Sequence, residues 1–295
     1  MLVPKTLIRH LIKCSLSVRT YSSALKSAKL SEVCVDSLKG NESGIIVLGL
    51  NRPKARNALG KTIVSELTDL LENLKHLDDA RVVILRSLVP GVFCAGADLK
   101  ERLEMKEDEV LPFVNRLRFI VKSTESLPMP VIAALDGLAV GGGFEMALGC
   151  DIIVASNTCK MGLVETKVGI LPGAGGTQKL PRLVGPAFAK ELIFTARTIS
   201  GVEAYERGIV NYVVEQNEHN DAAYQKSLAV ARSILPNAPV GIRMAKKAIN
   251  KSMDVDINTG YTIEEACYAQ VISTKDRIEG LAAFREKRPP KFTGS

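Results

Sequence analysis

A recurring order of apolar run, glycine turn and helical stretch constrains this chain more than any other feature. Gly44-Ile45-Ile46-Val47-Leu48-Gly49-Leu50 reads as a buried strand, and Asn51-Arg52-Pro53 stops it. Ile63, Val64, Leu67, Leu70, Leu71, Leu74 and Leu77 then repeat at helical spacing. Strand Val82-Val83-Ile84-Leu85 is followed by the turn-rich Gly91-Val92-Phe93-Cys94-Ala95-Gly96-Ala97-Asp98 and a helix across Leu111 to Ser126. Strand Val131-Ile132-Ala133-Ala134 leads to a glycine turn that opens a helix near Phe144, and strand Ile152-Ile153-Val154-Ala155 comes next. Strand, glycine turn and helix thus recur three times, which predicts stacked β-β-α or β-α units with a ligand at the turns. From Pro186 onward the spacing is helical: Phe188 to Ala196, Gly201 to Arg207, Asp221 to Ile234, Val240 to Ser252 and Gly260 to Val271.

Two glutamates stand beside those glycines. Gly141-Gly142-Gly143-Phe144-Glu145 and Gly162-Leu163-Val164-Glu165 place both acids in apolar company, and Leu171-Pro172-Gly173-Ala174-Gly175-Gly176 follows. A glutamate near a helix start is often a dipole partner. An acid among apolar residues is nevertheless costly unless it is paired or used. Together the two could add water across a double bond, one deprotonating the water while the other delivers a proton to carbon. The small residues of Phe93-Cys94-Ala95-Gly96-Ala97-Asp98 and Leu138-Ala139-Val140-Gly141-Gly142-Gly143 allow tight turns, and they would also let a carbonyl approach backbone N–H groups.

The net charge of +7 suggests nucleic acid until it is divided along the chain. Lys5, Arg9, Lys13, Arg19, Lys26 and Lys29 precede the first acid, Glu32, and without these six of the 39 basic residues the remainder stands against 32 acids, so the body is nearly neutral. The acid-free leader also carries Ser15, Ser17, Ser22, Ser23 and Ser27, with Leu2, Leu7, Ile8, Leu11 and Ile12 able to share one helical side. That is the composition of a mitochondrial transit peptide, and Arg9, His10 and Lys13 interrupt the apolar stretch a secretory signal needs. No apolar run is long enough to span a bilayer. The six cysteines, Cys14, Cys34, Cys94, Cys150, Cys159 and Cys267, lack metal-ligand spacing and read as free thiols. Only His10, His76 and His219 are available for a histidine-based triad.

Taken in order, Asn51-Arg52-Pro53 with Ala55 and Asn57-Ala58-Leu59, Phe93 through Lys100, Gly141-Gly142-Gly143 with Glu145 and Ala147, Gly162 with Glu165, and Leu171 through Gln178 closely resemble the enoyl-CoA hydratase (crotonase) family from about Gly44 to the end. Met161 to Thr166 and Glu264 to Gln270 are most similar to its mitochondrial methylglutaconyl-CoA hydratases and enoyl-CoA hydratase domain-containing proteins. The resemblance implies an α/β, ClpP-like crotonase fold: a β-β-α spiral core over residues 31–230, after a transit peptide over 1–30, and a helical C-terminal trimerisation region over 231–295. It implies a homotrimer or homohexamer in the mitochondrial matrix that takes an acyl-CoA substrate, with no metal and no cofactor beyond the thioester itself. By motif match the N–H groups of Ala97 and Gly142 would form an oxyanion hole, and Asp98, Leu99 and Lys100 would line the CoA site with Lys100 toward its phosphates. Glu145 would activate water and Glu165 would exchange the α-proton. The expected reaction is hydration of a short-chain or branched 2-enoyl-CoA such as 3-methylglutaconyl-CoA or crotonyl-CoA. Another lyase or isomerase reaction of the family, an RNA-binding role and a catalytically idle homologue stay open as alternatives. RNA binding by an early helix would need aligned cations, whereas Lys61, Ser65 and Asp69 supply one cation, one neutral group and one acid, so RNA is not an expected partner.

Overall fold

A computed structural model describes residues 30–295; the expected transit peptide, Cys14 and His10 therefore lie outside the described residues. The strands are β1 (Val33–Ser37), β2 (Ile45–Leu50), β3 (Val82–Ser87), β4 (Val92–Cys94), β5 (Val131–Leu135), β6 (Leu138–Val140), β7 (Ile152–Ser156), β8 (Lys160–Gly162), β9 (Ile199–Ser200) and β10 (Tyr212–Val214). The helices are α1 (Lys61–Leu74), α2 (Leu99–Glu104), α3 (Glu107–Ser126), α4 (Gly142–Leu148), α5 (Gly176–Thr195), α6 (Gly201–Glu206), α7 (Ala222–Ile234), α8 (Pro239–Ser252), α9 (Ile257–Ile272) and α10 (Lys275–Glu286).

Strands β1-β2-β3-β5-β7-β10 form one sheet in that order, parallel except for β1 against β2. Its central strands are apolar on both faces because both faces are covered. Ile46, Leu48, Leu50, Val83, Leu85 and Ala133 pack with the stripe Ile63, Val64, Leu67, Leu70, Leu71 and Leu74 of α1. The alternate residues Ile45, Val47, Val82, Ile84, Ile132, Ala134 and Val154 pack with Ala223, Leu228, Val230 and Ala231 of α7. The period-2 alternation of side chains thus divides one run of apolar residues between two cores.

The second sheet is β4-β6-β8-β9, with β4, β6 and β8 mutually parallel. Each spiral turn gives one strand to the large sheet and the next to the small one: β3 then β4, β5 then β6, β7 then β8. This is the expected β-β-α spiral. The C-terminal ends of β4, β6 and β8 lie side by side, Cys94 opposite Ala139 and Ala139 opposite Met161, so the loops that follow open on one edge of the small sheet. The C-terminal helices attach to the core chiefly through polar contacts. Lys246 Nζ donates to Met129 O at 2.9 Å and Asp151 Oδ2 at 2.6 Å, and Asn250 Nδ2 donates to Glu125 O at 3.0 Å.

Where structure and expectation differ, the cause is local. The helix expected over Phe188 to Ala196 is the second part of α5, after a break at Gly185 (φ 78°), and the first part, from Gly176 with Pro181 inside it, lies outside the helix the spacing predicts. The segment expected as turn over Gly91–Asp98 contains β4, and Leu77 lies beyond α1 yet remains buried.

Candidate active site

The three loops leaving β4, β6 and β8 carry Ala97, Gly142 and Glu165 to one place. After β4, Leu59 N donates to Gly96 O at 2.7 Å and Asp98 N donates to Leu59 O at 3.2 Å, an isolated parallel bridge centred on Ala97. Such a bridge uses the peptide groups on both sides of Ala97 and turns the Ala97 N–H to the opposite side. Gly96 has φ 87° and Gly141 has φ 53°, backbone that favours glycine. A side chain at Gly96 would also put its Cβ 3.0 Å from Val140 O and 3.7 Å from Gly142 N, so the two loops close on each other only with glycine there. Gly142 is the first residue of α4, so its N–H has no partner inside the helix.

Glu145 lies one turn into α4 and is 2% exposed. Its Oε1 accepts from Ala174 N at 2.9 Å and Gly176 N at 2.7 Å, at the N-terminal end of α5. Burial raises its pKa above the ordinary value, opposed by those N–H groups and by the positive charge of Arg118. Arg118 Nε and Nη2 in turn donate to Gly173 O at 3.2 and 3.0 Å, fixing the segment that holds Glu145.

Glu165 opens a short 3-10 helix, Glu165–Val168, directly after β8. Thr166 Oγ1 donates to Ile193 O at 2.8 Å and ties that turn to α5. The Glu165 carboxyl is pushed up to about 7, first by burial and then by the like charge of Glu145. Its Oε2 is buried without a hydrogen-bond partner. A Cβ built on Gly141 would lie 3.2 Å from Glu165 Oε1, and one on Gly142 would lie 3.9 Å from Glu145 Oε2. The two carboxylates therefore flank the Gly141–Gly142 peptide. One is an immobilised acceptor with an open second oxygen. The other holds its proton near neutrality.

The remaining motif residues divide into two kinds. Asp98 faces inward: it caps α2 by accepting from Lys100 N and Glu101 N, and it takes Arg52 Nη1 at 2.7 Å. Burial alone would raise its pKa, but the Arg52 guanidinium and the two N–H groups hold it below the ordinary carboxylate range. Leu99 is 54% exposed and Lys100 is exposed. Sequence reasoning passed over Arg52, treating Asn51-Arg52-Pro53 as a strand stop. It bridges Glu32 at 2.8 Å, Asp98 at 2.7 Å and Glu101 at 3.0 Å, and so pins the loop that carries Ala97. Three carboxylates that converge on one arginine are the signal that could have been sought, but they come from residues 32, 98 and 101, with no local spacing to show it. Cys94 beside the site donates Sγ to Asn57 O at 3.0 Å, and burial pushes its thiol up to about 12, far from a nucleophilic thiolate. Among the described residues, no three His, Cys, Asp or Glu side chains converge as metal ligands.

The profile of the enoyl-CoA hydratase/isomerase family matches residues 40–295. The chain belongs to that family. Human mitochondrial methylglutaconyl-CoA hydratase is 54% identical over 276 residues, 94% of this chain and 81% of that protein. Human mitochondrial enoyl-CoA hydratase domain-containing protein 2 is 56% identical over 264 residues, 90% of each. Among solved structures, enoyl-CoA hydratase from Bacillus anthracis superposes with a TM-score of 0.85 at 43% identity, covering 90% of this chain and all of that one. The β-β-α spiral is thus the crotonase fold, and the cleft at the ends of β4, β6 and β8 is this family member's candidate active site.

Proposed function

We propose that this cleft adds water across the 2,3 double bond of a short-chain or branched 2-enoyl-CoA, with 3-methylglutaconyl-CoA and crotonyl-CoA as the discriminating substrates. The observation that carries the reading is the buried carboxyl of Glu145 and the half-buried one of Glu165, its Oε2 out of solvent, on either side of a peptide whose N–H has no partner in the helix. The thioester oxygen sits between the Ala97 and Gly142 N–H groups. Glu145, as carboxylate, takes a proton from water as the water oxygen bonds to C3. The displaced π electrons move through C2 to the thioester oxygen, and C2 then takes the proton of Glu165. The product is the 3-hydroxyacyl thioester, and the proton returns from Glu145 to Glu165 through solvent. Each oxyanion donor supplies about 10²–10³ in rate and each proton-transfer group about 10²–10⁴.

Polarisation comes from backbone dipoles and proton transfer from the two glutamates, so the sequence calls on no metal or redox cofactor. Asp98 orders α2 through its cap, Leu99 offers an apolar edge beside it, and Lys100 stands at the surface for the phosphates of CoA. Exposed Ile249 on α8, Met253 just after it, and Tyr261, Tyr268, Leu281 and Phe284 on α9 and α10 support assembly through the C-terminal region as a trimer or a hexamer of two trimers. The acid-free leader, together with the mitochondrial names of the relatives, supports a matrix address. Lys61 faces Glu109 at 3.8 Å rather than a row of other cations, which favours the thioester over RNA as ligand. Among the described residues no helix is long and apolar enough to cross a membrane.

The test is loss of enoyl-thioester absorbance with the full chain, crotonyl-CoA and 3-methylglutaconyl-CoA side by side. Turnover of at least one is expected, and turnover of neither would remove the hydratase reading.

A further inference from the structure

We infer that the Arg102 guanidinium recognises the acyl end of the substrate, and that the preferred thioester carries a second carboxylate at that end. The inference rests on the hydratase reading of the same cleft. Arg102 lies on α2 one turn after Asp98, with its N–H donating to Asp98 O at 2.9 Å. Its side chain therefore starts about 5.4 Å along the helix from the loop that carries Ala97. The guanidinium lies over the Phe113 ring of α3, 5.4 Å from the centroid, and its Nη1 is buried without a hydrogen-bond partner.

Other inward arginines have oxygens to meet them. Arg52 has three carboxylates, Arg81 donates to Leu235 O and Asn237 O, and Arg118 donates to Gly173 O. No acid near Arg102 along the chain pairs with it: Glu104, Glu107 and Asp108 form no ion pair with its guanidinium, and the others have partners of their own. Asp98 and Glu101 bind Arg52, while Glu109 accepts from Lys106 N and faces Lys61. Burial acts on Arg102 with no acid to offset it, and its pKa is lowered. Arg102 as a whole is half-buried, but its Nη1 is out of solvent with no acceptor, and an unsatisfied buried donor is costly, so a ligand that supplies an anion there gains what the free protein lacks.

The placement suits the acyl chain. Val114, next to Phe113, would meet a Cβ on Gly173 at 2.9 Å, and Gly173 immediately precedes Ala174, whose N–H holds Glu145. Helix α3 thus runs from the Phe113 ring under Arg102 to the segment that fixes Glu145, which it meets through Val114 and, one turn on, Arg118. In a glutaconyl-type chain the second carboxylate is four C–C bonds of about 1.5 Å each from the thioester carbon, within reach of a long arginine side chain that starts one helical turn from the Ala97 loop. A guanidinium meets a carboxylate with paired, charge-assisted hydrogen bonds. An unbranched neutral chain leaves Nη1 unpaired.

The experiment compares glutaryl-CoA and butyryl-CoA binding by calorimetry with the full chain and with Arg102→Met and Arg102→Lys, and measures hydration of 3-methylglutaconyl-CoA and crotonyl-CoA on the same proteins. Methionine keeps the apolar stem against Phe113, and lysine keeps the charge. The wild-type protein should prefer glutaryl-CoA, Arg102→Met should lose that preference by about 10- to 100-fold, and Arg102→Lys should retain part of it. The ratio of kcat/KM for the two hydrations should fall in parallel, mainly through KM for the diacid substrate. No glutaryl preference in wild type, or an equal loss for both ligands in Arg102→Met, would overturn the assignment. Hydration of both thioesters with a ratio that Arg102→Met does not move would overturn it while leaving the hydratase reading intact. A glutaryl preference that depends on Arg102 without hydration of either thioester would overturn only the hydratase reading.

Discussion

The two sides of the cleft treat the same chemical group in opposite ways. On the α4 side, the Glu145 carboxylate meets two N–H donors from Ala174 and Gly176 and the field of Arg118. On the β8 side, Glu165 Oε2 is buried with no donor at all. Burial raises both carboxyls, and Glu165 is pushed up to about 7. What separates them is the supply of hydrogen bonds to the charged form of Glu145 and, on Glu165, the added like charge of its neighbour, the asymmetry on which the proposed division into base and proton store rests. In the proposed hydration the segment 171–176 therefore matters as much as the acids, since its N–H groups favour the charged form of Glu145.

The most severe way to break the asymmetry is Glu165→Gln. An amide cannot deliver a proton to C2, so hydration should fall by about 10³-fold or more while the fold and CoA binding persist, as read by kcat beside calorimetric binding. Next in size is Gly142→Pro, set against Gly142→Ala. Position 142 opens α4, where proline is tolerated, so the change removes one N–H without ending the helix. Both variants bring a Cβ to 3.0 Å from Leu59 Cδ1, so their difference reports the lost donor together with the ring Cδ that takes its place, and proline should be slower than alanine by about 10²-fold or more in kcat.

A third effect is on stability. Glu165 binds its proton up to about 7 when folded, against an ordinary value of 4.5, so the folded state holds a proton that the unfolded state releases. Stability should fall as pH rises from about 4.5 to 7 and level off above, by at most about 3 kcal/mol, less for the part of the group that meets solvent. Denaturant titrations at pH 5 and pH 8 should show Glu165→Gln gaining on the wild-type protein at the higher pH. A gap between the two proteins that does not change with pH would mean that the folded-state shift is absent. The smallest effect sharpens the other side. Gly176→Ala would place a Cβ 2.8 Å from Leu163 Cδ1 and 3.0 Å from Glu145 Oε1, displacing the acid rather than deleting it. It should cost about 10-fold in kcat with little change in CoA affinity.

The same contrast explains what the sequence revealed. Strands β2, β3, β5 and β7 were legible because continuous apolar runs mark strands covered on both faces, and α1 because its leucines repeat at helical spacing. Strands β4, β6 and β8 were not, since each is three residues long and β4 and β6 run straight into the small residues, Gly96 and Gly141, at which the loops approach one another. Helix α10 carries Ile278, Leu281 and Phe284 exposed on this chain, so it shows little inward face to read. At the site, Glu145 and Glu165 stood out as acids in apolar company. Arg52, Arg102 and Arg118 did not, because their roles depend on residues 46, 11 and 55 positions away, at Asp98, Phe113 and Gly173. A chain read in order shows spacing within an element and leaves hidden the partners that topology brings from elsewhere.

The central claim, that one carboxyl of the pair stores the proton while the other acts as base, is tested most directly by the pH dependence of kcat/KM for hydration in the wild-type protein and in the residual activity of Glu145→Gln. Only the singly protonated pair is competent, so the wild-type profile should be bell-shaped with its alkaline limb near 7. In Glu145→Gln that limb should move to lower pH, because the charge that helps raise Glu165 is gone. A wild-type profile flat through pH 7, or a limb that Glu145→Gln leaves in place, would contradict the account.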